Sequence, residues 1–442
     1  MADFAFSLTD KLRVLVLGAY GLIGSGVVRE LRAAGYKVGG LGRDRAAALR
    51  VLPDLNWTIR DMSLLTKPAD WTPILEGYDA VVNCAGALQD GARDTLQAVH
   101  VESVAALARA CATRKMRLVQ ISAAGASSRS PTLFLRSKAE GDSAVRSAGG
   151  DFVILRPGLV LAPTAYGGTA LLRMLAAFPY VQPVAHPDAA VRTVSLADLT
   201  QAIRLAVDGA LPKSRTIDLV EIDQHRLCDV IAGYRHWLGS PPALLTIPMP
   251  RPVTWLIGRI CDGLGRLGWR SPLRSTALDV ISEGINGDPA SWREVTGRTL
   301  TPFSASLASM PALFEDRLAA RMALLMPFTV AALFLLWAVS GAVGLWRAEA
   351  AARILVASGW SPGPAVYSVV FCSILDLGLA GLLLVRRYAR AACVAMFAVS
   401  LVYLAVASIT TPWMWADPLG TLVKIVPAAM LALVCHAMLQ ER

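Results

Sequence analysis

The chain has 442 residues, of which 55% are hydrophobic and only 17% charged, and its formal net charge is +10. That length carries about two to three domains, and so apolar a composition argues against a wholly soluble protein. Lys and Arg are scattered with no basic run interleaved with aromatics, so nucleic acid is not expected as a partner; the positive charge suits a membrane-facing or cofactor-phosphate surface. The seven cysteines, Cys84, Cys111, Cys228, Cys261, Cys372, Cys393 and Cys435, form no C-x-x-C pair, which indicates neither a zinc site nor a disulfide framework.

The N-terminus lacks the basic and apolar regions of a signal peptide, so the first domain is expected in the cytoplasm. The stretch RVLVLGAYGLIGSGVVRELRAAGYKVGGLGRD then reads as a strand, a glycine-rich turn, an amphipathic helix and a second strand. Gly18, Gly21 and Gly24 follow a G-x-x-G-x-x-G spacing. Those glycines allow a tight turn, the approach of a pyrophosphate to backbone N–H groups at the helix start, and close packing of helix on strand. With Tyr20, Leu22 and Ile23 between them they are the first candidate cofactor-binding residues.

At the end of the second strand an NAD site usually offers an acidic side chain to the ribose hydroxyls, whereas this chain has LGRD, with Arg43 placed to meet a 2′-phosphate. NADP(H) is the expected cofactor, and Asp44 leaves NAD(H) open. TIRDMS is expected to end a third strand at Asp61 and Met62, and DAVVNCAGAL forms a fourth, where Ala85 and Gly86 leave room beside the adenine and ribose.

Past Ser214 the chain is less explicit. The segment TIDLVEIDQHRLCDVIAGYRHWLG has the strand-and-helix pattern of a small substrate lobe. The segment PRPVTWLIGRICDGLGRLGW is basic and amphipathic, with Arg251, Arg259, Arg266 and Arg270 beside Trp255 and Trp269. It suits a helix lying on anionic headgroups, and equally a helix gating a substrate cleft. His100, His186, His225 and His236 have no metal-like spacing and are expected to be structural; no metal is indicated.

Four long apolar stretches follow, at residues 324–345, 365–385, 391–411 and 419–439. Each is near the roughly 20 residues needed to cross a hydrocarbon core. Arg386, Arg387 and Arg390 lie between the second and third, PWMWADP between the third and fourth has no Lys or Arg, and Arg317 and Arg321 precede the first. The positive-inside rule then puts both ends on the cytoplasmic side of a bacterial-type inner membrane, although Arg347 and Arg353 run against it. Trp346, Trp360, Trp413 and Trp415 suit an interfacial belt, and packing alone also explains them. Asp376 and Lys424 are ionisable groups inside apolar stretches, expected to point inward and to face each other, unless Lys424 snorkels to the interface.

Residues 11 to about 310 resemble the extended, atypical short-chain dehydrogenases/reductases, and within them the NAD(P)H-binding group akin to an accessory subunit of respiratory complex I. The resemblance rests on GAYGLIG, DAVVNCAG, VHVESVAALARAC, LVQISAAGA, RSKAEGD and ILRPGLVLAP, in that order. Residues from about 322 to 439 resemble the DoxX-like family through LWAVSGAVGL, ILDLGLAGLLL and DPLGTLVKIVP. Together these imply an α/β Rossmann-type doubly wound parallel sheet followed by an all-α four-helix transmembrane bundle. The implied domains are a dinucleotide-binding domain at 11–212, a small substrate lobe and linker at 213–311, and the membrane domain at 322–439.

The family carries its chemistry on Ser, Tyr and Lys, with the last two spaced Y-x-x-x-K. The lysine holds the ribose and lowers the tyrosine pKa, the tyrosine exchanges a proton with the substrate oxygen, and the serine hydrogen-bonds that oxygen. The resemblance puts Ser122 in the serine place and Lys138 in the lysine place, both also beside the cofactor with Pro157, but Phe134 occupies the tyrosine place. Tyr166, in the loop after the strand that carries Arg156 and Pro157, is the candidate substitute donor. Two functions are compatible with this pattern. One is a membrane-anchored oxidoreductase acting on an apolar, quinone- or lipid-type substrate. The other is a non-catalytic dinucleotide-binding module that senses redox state or stabilises a membrane protein complex.

Overall fold

The computed structural model describes residues 12–88, 90, 95–165, 167–269, 271 and 273–439. Two compact units are separable: one takes the chain up to Ile260 and the segment ending at Arg317, the other the segment beginning at Cys261 and everything from Leu318 on.

The first unit is built on a seven-stranded sheet. Its strands are β1 (Arg13–Leu17), β2 (Lys37–Gly42), β3 (Asn56–Ile59), β4 (Ala80–Asn83), β5 (Arg117–Ile121), β6 (Phe152–Pro157) and β7 (Arg215–Leu219). All pair in parallel, in the order β7-β6-β5-β4-β1-β2-β3. Both faces are covered, which is why β1 reads as a continuous apolar run. Side-chain alternation then sends Val14 and Val16 to one face, against Val27, Val28 and Leu31 of helix α1 (Leu22–Ala33) and Leu199 and Ile203 of the Leu196–Val207 helix. Leu15 and Leu17 go to the other, against Leu107 and Cys111 of helix α2 (Ser103–Thr113) and Val145 of helix α3 (Leu133–Ala148).

Strand order reverses between β1 and β4, so a crevice opens at their carboxyl ends, where doubly wound sheets bind ligands. The third strand stops at Ile59, short of the expected Asp61, because the Asp61 carboxylate accepts from the Ser63 N–H at 3.0 Å and caps a short 3₁₀ turn.

In the second unit three helices are long and apolar enough to cross a membrane: Phe314–Trp346, Pro362–Leu384 and Arg386–Thr410. The fourth expected stretch is helical over a shorter length: residues 412–424 fold as a 3₁₀ turn and turns around Gly420 (φ +63°), and the apolar helix Ile425–Met438 has 14 residues. The expected pairing of Asp376 with Lys424 is also corrected. Asp376 is buried and accepts a hydrogen bond from the Tyr403 hydroxyl at 2.9 Å, while the Tyr403 ring stacks on Trp337 at 6.5 Å. Lys424 is exposed at the N-cap of the last helix. A phenol satisfies a buried carboxylate without the cost of burying an ammonium as well.

Candidate dinucleotide and substrate site

The turn after β1 has no room for side chains. Gly18 has φ +67°, and a Cβ there would lie 2.9 Å from the Ala85 Cα at the end of β4; one on Gly24 would lie 2.3 Å from the Gly18 carbonyl oxygen. Helix α1 starts at Gly21 with no side-chain cap, so its first N–H groups are open to an anion. This is a cradle that a pyrophosphate fits. Gly24→Ala is therefore expected to abolish dinucleotide binding, since the obstacle is backbone and cannot rotate away; unchanged cofactor affinity in a fluorescence titration would refute the role of the turn.

Around the cradle, Tyr20 packs its ring over Gly42 at the end of β2 and meets Trp57 at 6.0 Å between centroids. Arg43 follows β2 directly and is exposed. Asp44 is committed elsewhere: its carboxylate accepts from the Ala47 N–H at 3.0 Å and caps the Arg45–Val51 helix. Met62 is buried beneath this end of the crevice.

On the far side of β4, Asn83 takes the Gln120 side-chain oxygen at 2.8 Å with its amide and receives the Ala85 N–H at 3.1 Å, which sets the path of Ala85 and Gly86. A Cβ on Gly86 would stand 3.2 Å from Lys138 Nζ and 3.3 Å from His100 Nε2, so its backbone lies against both. His100 was absent from the sequence candidates as a site residue, yet it ties three segments together. Its Nε2 accepts from the Ala87 N–H at 3.1 Å, so Nδ1 carries the proton and donates to Ser137 Oγ at 2.9 Å, which donates to the Phe134 carbonyl at 2.9 Å. Burial, with Lys138 adding to it, pushes His100 down to about 2, so this ring stays neutral.

Helix α3 carries Phe134 and, one turn on, Lys138. The Phe134 ring stands edge-on to His100 at 5.8 Å, with no polar atom to offer a substrate. Lys138 Nζ donates to the Ile121 carbonyl at 3.3 Å at the end of β5. Next to it Ser122 is buried, and its Oγ has no hydrogen-bond partner. An orphaned buried hydroxyl is uncommon, and beside the lysine it fits a ligand oxygen. Asp142 is the competing partner for that hydroxyl: a hydrogen bond from Ser122 helps to hold the Asp142 carboxyl down, although neither Ser122 Oγ nor Asp142 Oδ1 makes a bond of full geometry.

Asp142 lies one turn beyond Lys138, fully buried, and its Oδ2 takes both the Nε and Nη2 of Arg156 on β6 at 2.8 Å. Burial raises its carboxyl above the usual range against the opposing pull of Arg156. Burial brings Lys138 down to about 8, an effect that Asp142 and Cys84 partly offset. Pro157 ends β6, and its carbonyl accepts from the Ala124 N–H at 2.9 Å, closing the floor beyond Ser122. A residue far away in sequence, Glu283, holds the start of helix α3. It accepts from Ser130 Oγ at 2.7 Å and from the Thr132 N–H at 3.0 Å. Tyr166 lies outside the described residues.

A glycine cradle at the switch point of a parallel sheet is the arrangement of a dinucleotide-binding domain of the doubly wound class. Residues 18–174 match the NAD(P)H-binding family, and residues 334–433 match the DoxX-like family. The chain thus joins an N-terminal NAD(P)H-binding domain to a C-terminal DoxX-like membrane domain. Among curated proteins it is similar to a ceramide reductase of Caulobacter vibrioides, 24% identical over 301 residues that span 67% of this chain and 87% of that protein. Among solved structures the fold is shared with the Bordetella bronchiseptica enzyme WbmG in complex with NAD, at 16% identity, covering 71% of this chain and 95% of that one with a TM-score of 0.53. A dTDP-glucose 4,6-dehydratase from Bacillus anthracis in complex with NAD is also similar, at 13% identity, covering 68% and 95% with a TM-score of 0.50.

Proposed function

We infer that this protein is a membrane-anchored reductase that uses a nicotinamide dinucleotide, preferably NADPH, to reduce a carbonyl or quinone oxygen on an apolar, lipid-type substrate. The observation that carries the reading is the buried Ser122 hydroxyl, without a hydrogen bond of full geometry, next in the chain to the Ile121 carbonyl that Lys138 holds. The similarity to a ceramide reductase and the attached membrane domain support the substrate class.

When bound, the dinucleotide supplies a hydride. The chain supplies the rest. The Gly18–Gly24 turn and the start of α1 hold the pyrophosphate, Ala85 and Gly86 leave space for the adenosine side, and the Lys138 ammonium bonds a ribose hydroxyl. Ser122 Oγ donates to the substrate oxygen, polarising the carbonyl. With a phenyl ring at position 134, the Lys138 ammonium would be the group to give the substrate oxygen its proton. The Asp142 carboxylate, one turn on, favours the ammonium form of Lys138 against the opposing effect of burial.

The cofactor preference rests on Arg43, exposed after β2, and on Asp44 being committed to a helix cap. Arg43→Ala should weaken NADPH binding by about tenfold and leave NADH nearly unchanged, because only NADPH offers a 2′-phosphate for a charge-assisted bond. Equal losses for both would refute the preference. The dinucleotide-binding domain faces the cytoplasm on this reading, as Arg386, Arg387 and Arg390 between the second and third helices suggest. A reporter fused after Arg390 should register as cytoplasmic, and an external signal would overturn the orientation.

The test of the function is NADPH oxidation by the purified full chain with a short-chain quinone and with a long-chain ketone. Turnover with either supports the reductase. Phe134 favours the second reading, a non-catalytic module that senses redox state or braces a membrane complex: tight NADPH binding without oxidation by any acceptor would establish that reading instead.

A further inference from the structure

The segment that the sequence leaves between two uses folds as the Arg251–Arg266 helix, entered from the Leu245–Pro248 strand. At 3.6 residues per turn its side chains divide into three stripes. Thr254 and Gly258 are the buried ones, and Gly258 lies against the Ser275 backbone. Arg251, Trp255, Arg259, Asp262 and Arg266 form a second stripe, positive on balance, with the Arg259 guanidinium 5.8 Å from the Trp255 ring. Val253, Leu256 and Ile260 form the third at spacings of three and four, and they are 43%, 53% and 55% exposed. The strand feeding the helix continues the apolar surface with Leu245 and Ile247.

A helix that gates a cleft buries its apolar stripe over that cleft. Here the apolar stripe is the exposed one, and a run of large side chains is costly to leave in water, at about 25 cal/mol per Å². We propose that the Arg251–Arg266 helix lies in the plane of an anionic membrane surface, with Val253, Leu256 and Ile260 in the upper acyl region and Arg251, Arg259 and Arg266 at lipid phosphates. Charge complementarity selects this occupant over a second copy of the chain, whose matching stripe would bring the same arginines together. The same chain also carries a helix long and apolar enough to cross a bilayer, Phe314–Trp346. A tryptophan beside the arginines suits the wet and apolar boundary of such a surface.

The test uses the full chain in phosphatidylcholine vesicles with and without phosphatidylglycerol, doped with a phospholipid carrying a diazirine on its acyl chain, followed by digestion and mass mapping. Acyl adducts on the Val253–Ile260 peptide are expected, about tenfold more with phosphatidylglycerol than without. A drop at least as large is expected in the R251E/R259E/R266E variant, since each arginine near an anionic surface is worth about fivefold in affinity. Adducts on the Pro362–Leu384 helix serve as the internal standard, and retained NADPH binding shows that the variant is folded. Labelling of that helix without labelling of the Val253–Ile260 peptide would overturn the proposal, as would labelling equal in both lipids or in the variant. Cross-linked dimers through this peptide would assign the stripe to a second copy.

Discussion

Lys138→Met is expected to lower NADPH-dependent reduction by about 100- to 10,000-fold, the range in which a positioned acid contributes. The residue is buried against Gly86 and the Ile121 carbonyl, and no tyrosine stands at position 134 to share its role. A binding role alone would raise the cofactor KM and leave turnover at saturation intact, so the two roles separate in the steady state. Proton donation adds a pH signature. Lys138 is brought down to about 8 by burial, so the ammonium form dominates below that value and is lost above it. Turnover at saturating cofactor should therefore fall as pH rises through about 8, and Lys138→Arg, which keeps the charge but does not titrate there, should remove that limb. Turnover that is flat from pH 6 to about 10 in the wild type would sink the assignment. Phe134→Tyr should act in the opposite sense. It adds a phenol where the ring already fits, one turn from the lysine, and raises carbonyl reduction while leaving NADPH affinity within a small factor.

The second large effect is on stability. Asp142→Ala removes one partner of a buried ion pair and leaves the Arg156 guanidinium without its carboxylate. Breaking such a pair from one side costs about 3–5 kcal/mol, because the surviving charge stays desolvated. Chemical denaturation of the dinucleotide-binding unit in the detergent-solubilised full chain should show the loss. Asp142→Asn keeps an oxygen for Arg156 and should cost clearly less. If Asp142→Ala unfolds at the wild-type denaturant concentration, the pair is not a structural brace, and its place beneath Lys138 would have to be explained by chemistry alone.

The glycine turn was legible in the sequence because everything it needs is local: an apolar strand, three glycines at fixed spacing and an amphipathic helix lie within about two dozen residues. Ser122 and Lys138 were named through the resemblance alone; the structure buries both and puts the Lys138 ammonium on the Ile121 carbonyl, one residue before Ser122. Three of the membrane helices were legible from composition, since an apolar run of that length has few other uses. The fourth helix is shorter than the apolar stretch that contains it: hydropathy does not register the backbone turn at Gly420, which uses up the first part of the stretch. Asp142 could have been noticed four residues after Lys138, on the same face of a helix, but nothing nearby marks Arg156 as its partner. Only the tertiary structure decided the long-range pairings: Ala87, His100, Ser137 and Phe134 in one relay, Glu283 on the start of helix α3, and Tyr403 rather than Lys424 on Asp376. Apart from the Ser137–Phe134 link, each joins residues more than ten positions apart through a buried polar group, and such a group is specified by the need to satisfy it after burial. That need does not exist along the extended chain, where water satisfies every one of these groups and no pattern in the sequence records which partner will replace it.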